Sequence, residues 1–265
     1  MKVGIVGCGT IGRKVAEELD KGAVPNVQLA ALSSRTLETA REFATTLGEP
    51  PPVVTLAELV ALADVVIEAA GRPAVEGIAR AALESGKDVM VLSCGALLDS
   101  DDLVALAQEH KASIHVPSGA IIGLDGILSA TAGRIDSITM VSRKPPGGLK
   151  GAPGVAEVDM DAVTEPMVVY EGPVREACRL FPANVNVSAA VSMAGLGPDA
   201  TKIRIMADPT VTRNTHSIAV EGEFGRLEVK IENVPTENNP RTGVLTALSV
   251  LASLKKLASP LKVGT

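Results

Sequence analysis

Six residues near the start, Gly7-Cys8-Gly9-Thr10-Ile11-Gly12, form a GxGxxG directly after a strand-like apolar run at residues 3–6 and at the opening of a helical pattern. That context makes an otherwise weak pattern informative. The first glycine permits a tight turn, and the second lets a pyrophosphate approach the backbone. The third allows close helix-to-strand packing, while Thr10 and Ile11 begin a helix whose first amides face the phosphates. A dinucleotide is the expected ligand. About 20 residues further on, an Asp or Glu would bind the ribose 2′-hydroxyl of NAD, and this chain has Ser33-Ser34-Arg35 instead. With no carboxylate to repel a 2′-phosphate, and with the hydroxyls of Ser33 and Ser34 and the guanidinium of Arg35 able to bind one, NADP is expected to be accepted at least as well as NAD. The bland alternative is an Arg35 that is only solvated.

Proton-transfer candidates are few, because the chain has three histidines. His110 ends a helical pattern between Glu109 and Lys111 and reads as a surface residue. His115 sits in a strand-like run and reads as structural. His216 closes a polar loop, Asp208-Pro209-Thr210-Val211-Thr212-Arg213-Asn214-Thr215, that enters a strand. Loops held by a rigid sheet are where catalytic groups concentrate, and an imidazole titrates near neutrality. The residues alone leave His216 open between a catalytic and a structural role. Asn184 and Asn186 precede a helix of small residues, where an asparagine either holds a carboxamide or ribose or serves as an N-cap. Residues 117–123, Pro-Ser-Gly-Ala-Ile-Ile-Gly, follow a strand and belong at the carboxyl edge of the sheet, where ligands bind. Asp208, Arg143, Lys144 and Arg241 are the charges able to grip a dicarboxylate, although each alone is more often a surface ion-pair partner.

These residues need a scaffold, and its plan is legible in the apolar pattern. Short apolar runs at residues 3–6, 27–32, 53–54, 65–69, 89–92 and 113–116 alternate with helical patterns at 11–21, 36–47, 56–62, 74–85 and 99–110. Strand-then-helix repetition with runs apolar throughout predicts an α/β, doubly wound parallel sheet covered by helices, a Rossmann domain. After about Gly119 the pattern becomes alternating, at 137–143, 167–171, 202–207, 217–221 and 227–233. Alternation predicts an antiparallel, half-exposed sheet, with a hairpin turn at 222–225 and a small-residue helix at 183–195. Residues 144–154, rich in Gly and Pro, read as a loop. Residues 242–257 return to helical spacing and are expected to pack on the first domain. The expected division is a dinucleotide-binding domain at 1–118, rejoined by a C-terminal helix within 241–265, and an α+β catalytic and dimerisation domain at 119–240.

Composition narrows the partners. Aromatics are 2% of the chain and Trp is absent, which leaves no stacking platform for single-stranded nucleic acid, and a net charge of −6 opposes capture of a polyanion. Nucleic acid and membrane are therefore not expected partners. The three cysteines, Cys8, Cys94 and Cys178, have no CxxC pair, so neither a disulfide framework nor a metal site is expected. No stretch approaches the roughly 20 apolar residues of a membrane span, and no basic segment leads into an apolar one near Met1. A cytoplasmic protein is expected.

Taken in order, the glycine fingerprint, Pro117-Ser118-Gly119-Ala120-Ile121, Phe181-Pro182-Ala183-Asn184-Val185-Asn186-Val187, Ala207-Asp208-Pro209 with Asn214-Thr215-His216, and Asn239-Pro240-Arg241-Thr242 resemble the L-aspartate dehydrogenase family. The resemblance spans nearly the whole chain. It implies a homodimer that interconverts aspartate with oxaloacetate and ammonia through iminoaspartate using NAD(P), a reaction that serves either pyridine nucleotide biosynthesis or nitrogen metabolism. It places the catalytic histidine on His216 and cofactor contacts on Ala120 and Asn186. Many relatives carry an acidic residue after the second strand, so Ser33-Ser34-Arg35 is a departure that bears on cofactor choice and not on the reaction. Competing expectations are a reductase of the dihydrodipicolinate-reductase or homoserine-dehydrogenase type, or a dinucleotide-binding sensor without catalysis.

Overall fold

The computed structural model describes residues 1–182, 185–236 and 239–265, and the side chains of 239–242 lie outside the description. The chain divides into two compact units, Met1–Pro117 with Thr246–Val263, and Ser118–Leu245 with Gly264–Thr265.

The first unit alternates strand and helix: β1 (Lys2–Val6), α1 (Thr10–Asp20), β2 (Gln28–Ser33), α2 (Leu37–Ala44), α3 (Leu56–Leu62), β3 (Val65–Glu68), α4 (Val75–Glu84), β4 (Asp88–Val91), α5 (Asp101–Glu109) and β5 (Ile114–His115). All sheet pairings are parallel and the order is β2-β1-β3-β4-β5. The chain adds β2 on one side of β1 and β3 on the other, so the strand order reverses between β1 and β3. In open α/β sheets that reversal opens the ligand crevice at the carboxyl ends of the strands.

Alternate residues of each strand face opposite layers. Val3, Ile5, Leu32, Val65, Ile67 and Met90 share one buried cluster with Val15, Phe43 and Leu47. Ala31, Val66, Val89 and Val91 share the other with Leu59, Ile78 and Leu83. Strands buried on both faces explain why the runs are apolar throughout. Near the C-terminus, Ala247, Val250 and Leu254 complete the first cluster.

Residues 53–54 depart from expectation. They form no strand, only a parallel bridge from Val53 to Leu32, because Pro50, Pro51 and Pro52 bring no N–H donors to a ladder. The sheet therefore has five strands instead of six runs. Local capping sets α3: the Thr55 hydroxyl accepts from the Glu58 amide, and the Glu58 carboxylate accepts from the Thr55 amide, a reciprocal cap that starts the helix at Leu56. At the end of α2 the hydroxyls of Thr45 and Thr46 bond back to Glu42 and Phe43, which stops the helix three residues short of the pattern.

The second unit contains α6 (Leu124–Ala130), β6 (Ile135–Lys144), β7 (Met167–Pro173), α7 (Val174–Leu180), α8 (Asn186–Ala194), β8 (Lys202–Ala207), β9 (Thr215–Gly222), β10 (Gly225–Glu232), β11 (Pro235–Thr236) and β12 (Asn239–Gly243), and α9 (Val244–Ala258) follows. Its sheet runs β10-β9-β6-β8-β7. The β9–β10 hairpin is as expected, but the sheet is mixed, not antiparallel, since β6 and β8 run parallel. Alternating burial marks a half-exposed strand and is blind to its direction. The short helices α6 and α7 also escape the sequence pattern. Lys144, assigned by composition to a loop, is the last residue of β6.

Candidate active site

The turn between β1 and α1 makes different demands on its three glycines. Gly7 has φ of 109°, and a Cβ there would overlap the Ala69–Ala70 peptide. A Cβ at Gly12 would overlap the Gly7 carbonyl. Gly7 and Gly12 thus hold helix, strand and the turn after β3 together. Gly9 has ordinary backbone angles, and a Cβ there would meet nothing within 4 Å. Folding does not require glycine at position 9, whereas a ligand lying on the backbone would. No side chain caps α1 and no acidic residue occupies its first turn, so the amides at Thr10 and Ile11 keep the electropositive end that a pyrophosphate needs. The residues present fit a dinucleotide.

Beyond β2, Ser33 is buried as the last strand residue and its carbonyl accepts from the Gly7 amide at 2.8 Å. Ser34 is half-buried and Arg35 is exposed. Only these two of the trio therefore lie beyond the strand.

In the second unit, register builds a polar cluster. One face of β6 carries Ile138, Met140, Ser142 and Lys144, each 4% exposed or less, and β9 sets Val220, Ile218 and His216 opposite the first three. The face is apolar over two pairs and then turns polar. Ser142 and His216 are directly paired, and the Ser142 Oγ and His216 Nδ1 are both buried without a hydrogen-bond partner among the described residues. Lys144 is buried too, and no carboxylate among the described residues pairs with it. Burial pushes its ammonium down to about 8. Burial first, then the Lys144 charge, pushes the His216 imidazole down to about 3. At neutral pH the imidazole is uncharged beside a cation that lacks a counter-ion among the described residues. Unpaired buried polar atoms cost about 1–3 kcal/mol each, so such a group persists where a ligand supplies the missing partners.

Asn233, which sequence reasoning missed, ties two loops to this sheet. Its side-chain NH2 donates to the Ala120 carbonyl at 2.9 Å, and its backbone amide donates to the Asn214 carbonyl at 2.9 Å, two residues before His216. No pattern flags it, because one buried asparagine after a strand has no spacing to recognise. Asp208 is occupied: it accepts from the Thr210 amide and hydroxyl and pairs with Arg143 at 3.2 Å, and the Thr210 hydroxyl leads in holding its carboxyl below the usual range. Asn186 opens α8 and is exposed. Asn184 lies outside the described residues, as does the side chain of Arg241. His110 follows α5 as its C-cap, and His115 bonds Asp88 at 3.0 Å. Among the described residues no cluster of three or more His, Cys, Asp or Glu could hold a metal ion, and no helix is long and apolar enough to cross a membrane.

Two family models cover most of the chain. Residues 125–257 match the family model described as aspartate dehydrogenase, C-terminal, and residues 7–117 match that of the homoserine dehydrogenase NAD binding domain. The chain is 45% identical to the L-aspartate dehydrogenase of Methanosarcina barkeri over 100% of both chains. The chain belongs to the L-aspartate dehydrogenase family. Another family member, L-aspartate dehydrogenase 3 of Bordetella bronchiseptica, is 46% identical over 99% of this chain and 97% of its own. The crystal structure of aspartate dehydrogenase from Thermotoga maritima superposes with a TM-score of 0.76 at 26% identity, covering 100% of this chain and 99% of that one. A homoserine dehydrogenase from Thiobacillus denitrificans, at 14% identity and a TM-score of 0.66, shares the fold alone. Within the L-aspartate dehydrogenase family, then, the α/β fold, the dehydrogenase class and the NAD(P) domain all apply to this chain.

Proposed function

We propose that the chain interconverts L-aspartate and water with oxaloacetate and ammonia through iminoaspartate, using NAD(P)+ and NAD(P)H as the redox couple. The observation that carries this reading beyond family membership is the buried Lys144, without a counter-ion among the described residues, beside a neutral His216. A carboxylate-bearing substrate completes that group.

Gly7, Gly9, Thr10, Ile11 and Gly12 hold the pyrophosphate, and Ser34 and Arg35 receive the adenosine ribose and its 2′-phosphate. Ala120 and Asn186, assigned through the family resemblance, hold the carboxamide end. When bound, the nicotinamide supplies the acceptor for a hydride leaving the substrate α-carbon. Lys144 pairs with a substrate carboxylate, which replaces its missing counter-ion. His216, uncharged, takes the proton of the water that adds to the iminium carbon and returns protons as ammonia departs. The substrate's negative charge raises the imidazole's proton affinity above its substrate-free value. Ser142 faces the ring from across the strand pair and is free to bond a group that the substrate brings. Asn233 positions the Ala120 and Asn214 loops, and Asp208 holds Arg143. Asn184 and Arg241, singled out by residue type, are further substrate contacts. The enzyme is read as a cytoplasmic homodimer serving pyridine nucleotide biosynthesis or nitrogen metabolism, on the family resemblance.

Absorbance of the reduced nicotinamide tests the reading. Addition of aspartate with NADP+ or NAD+ is expected to generate it, and oxaloacetate with ammonia to consume it. A purified, folded protein inactive in both directions overturns the assignment.

A further inference from the structure

Glu68, which ends β3, is wholly buried, and the chemistry above does not use it. Its Oε1 accepts from the Ala70 amide at 2.9 Å, the Gly71 amide at 2.8 Å and the Ser93 hydroxyl at 3.1 Å, while Oε2 accepts from the Ser93 amide at 2.9 Å. Four donors converge and none is donated in return, the pattern of an ionised carboxylate. The donors come from two loops, one after β3 and one after β4. The first of these is the wall against which Gly7 packs. One buried anion therefore joins the fingerprint turn's neighbour to the next strand's loop, at the carboxyl end of the pair where strand order reverses.

In this architecture the residues after β2 read the adenosine ribose, which assigns the adenosine half to β1 and β2 and the nicotinamide half to β3 and β4. Glu68 sits beneath the second half. We propose that Glu68 is a positioning residue for the nicotinamide half: it holds the 69–71 and 93 loops in register, and its charge favours the cationic oxidised ring over the neutral reduced ring. This rests on the NAD(P) reading above. At an effective dielectric of about 20, a buried unit charge changes the affinity for a nearby cation roughly tenfold.

Equilibrium titration of the full chain with oxidised and reduced cofactor, separately, tests it. E68Q preserves shape and three of the four hydrogen bonds, facing its NH2 only toward the Ser93 amide. It is expected to weaken the oxidised form about tenfold more than the reduced form. E68D keeps the charge and withdraws it by one methylene, so both forms should weaken with the wild-type ratio preserved. An unchanged ratio in folded E68Q overturns the proposal. Should E68Q not fold, E68D and S93A still decide: each disturbs the loops and keeps the charge, and a shifted ratio in either overturns it. Wild-type protein that binds neither form breaks the NAD(P) reading itself, whereas wild-type binding of both with E68Q unshifted breaks this inference alone.

Discussion

At residues 7–12 the binding surface is backbone: two glycines exclude side chains for packing, and the third leaves open space at the end of a helix. At the ends of β6 and β9 the working surface is side chains, with Ser142, Lys144 and His216 brought to one buried face by register; among the described residues the Ser142 Oγ and the His216 Nδ1 have no hydrogen-bond partner and Lys144 has no carboxylate. The first region gains its ligand affinity from groups every residue owns, so its constraint is on what must be missing. The second holds specific chemistry in a low-dielectric setting, and its constraint is on what must be present though costly. Folding and function coincide at Gly7 and Gly12 and separate at Gly9. In the polar cluster they oppose each other.

The largest expected effect breaks the second region alone. His216→Ala should lower kcat by about 10² to 10⁴-fold with cofactor affinity nearly intact, measured by steady-state rates beside cofactor titration. Near-normal kcat in a folded variant would remove His216 from the chemistry.

Next comes the contrast within the fingerprint. Gly9→Val should fold with near-native circular dichroism and melting temperature yet lose cofactor affinity by about a hundredfold, because its side chain enters space that only the ligand uses. Gly12→Ala should instead fail to fold or melt far lower. Equal behaviour of the two would erase the distinction between packing glycine and binding glycine.

Lys144→Met probes the opposition of stability and function. Loss of the ammonium should raise KM for aspartate about ten- to a hundredfold, while the melting temperature at pH 7 rises because an unpaired buried charge is gone. The sign follows from linkage. Native Lys144 titrates near 8 against an ordinary 10.5, so between those values the unfolded chain holds more protons and wild-type stability climbs with pH. The variant should lack that climb. Wild-type kcat/KM should fall as pH rises through about 8, and the variant should lose that limb. His216, near 3 against 6.5, should cost stability as pH falls from 6.5 towards 3.

Smallest is Arg35→Ala. The guanidinium is exposed, so NADP should weaken about fivefold at most, with NAD unchanged. Equal losses for the two cofactors would make Arg35 a surface residue.

Sequence alone determined what depends on neighbours along the chain. The fingerprint turn, the cap at Thr55 and Glu58, the strands buried on both faces and the hairpin at 222–225 each follow from a few consecutive residues whose sterics or hydrogen bonds are local. His216 is legible as a polar residue entering a strand, but its residue type and position alone do not choose between a catalytic and a structural role. Tertiary structure decided what depends on register and direction. The parallel course of β6 and β8, the meeting of Ser142 with His216 across 74 positions, the buried ammonium of Lys144, and the binding of two loops by Asn233 and of two others by Glu68 rest on contacts between distant segments. A period-two pattern says which face a residue takes but not which residue it will face. Glu68, which lies in an apolar run, is the clearest case: only the folded sheet adds the Ser93 amide and hydroxyl to the local Ala70 and Gly71 amides, and together these donors make a carboxylate tolerable there.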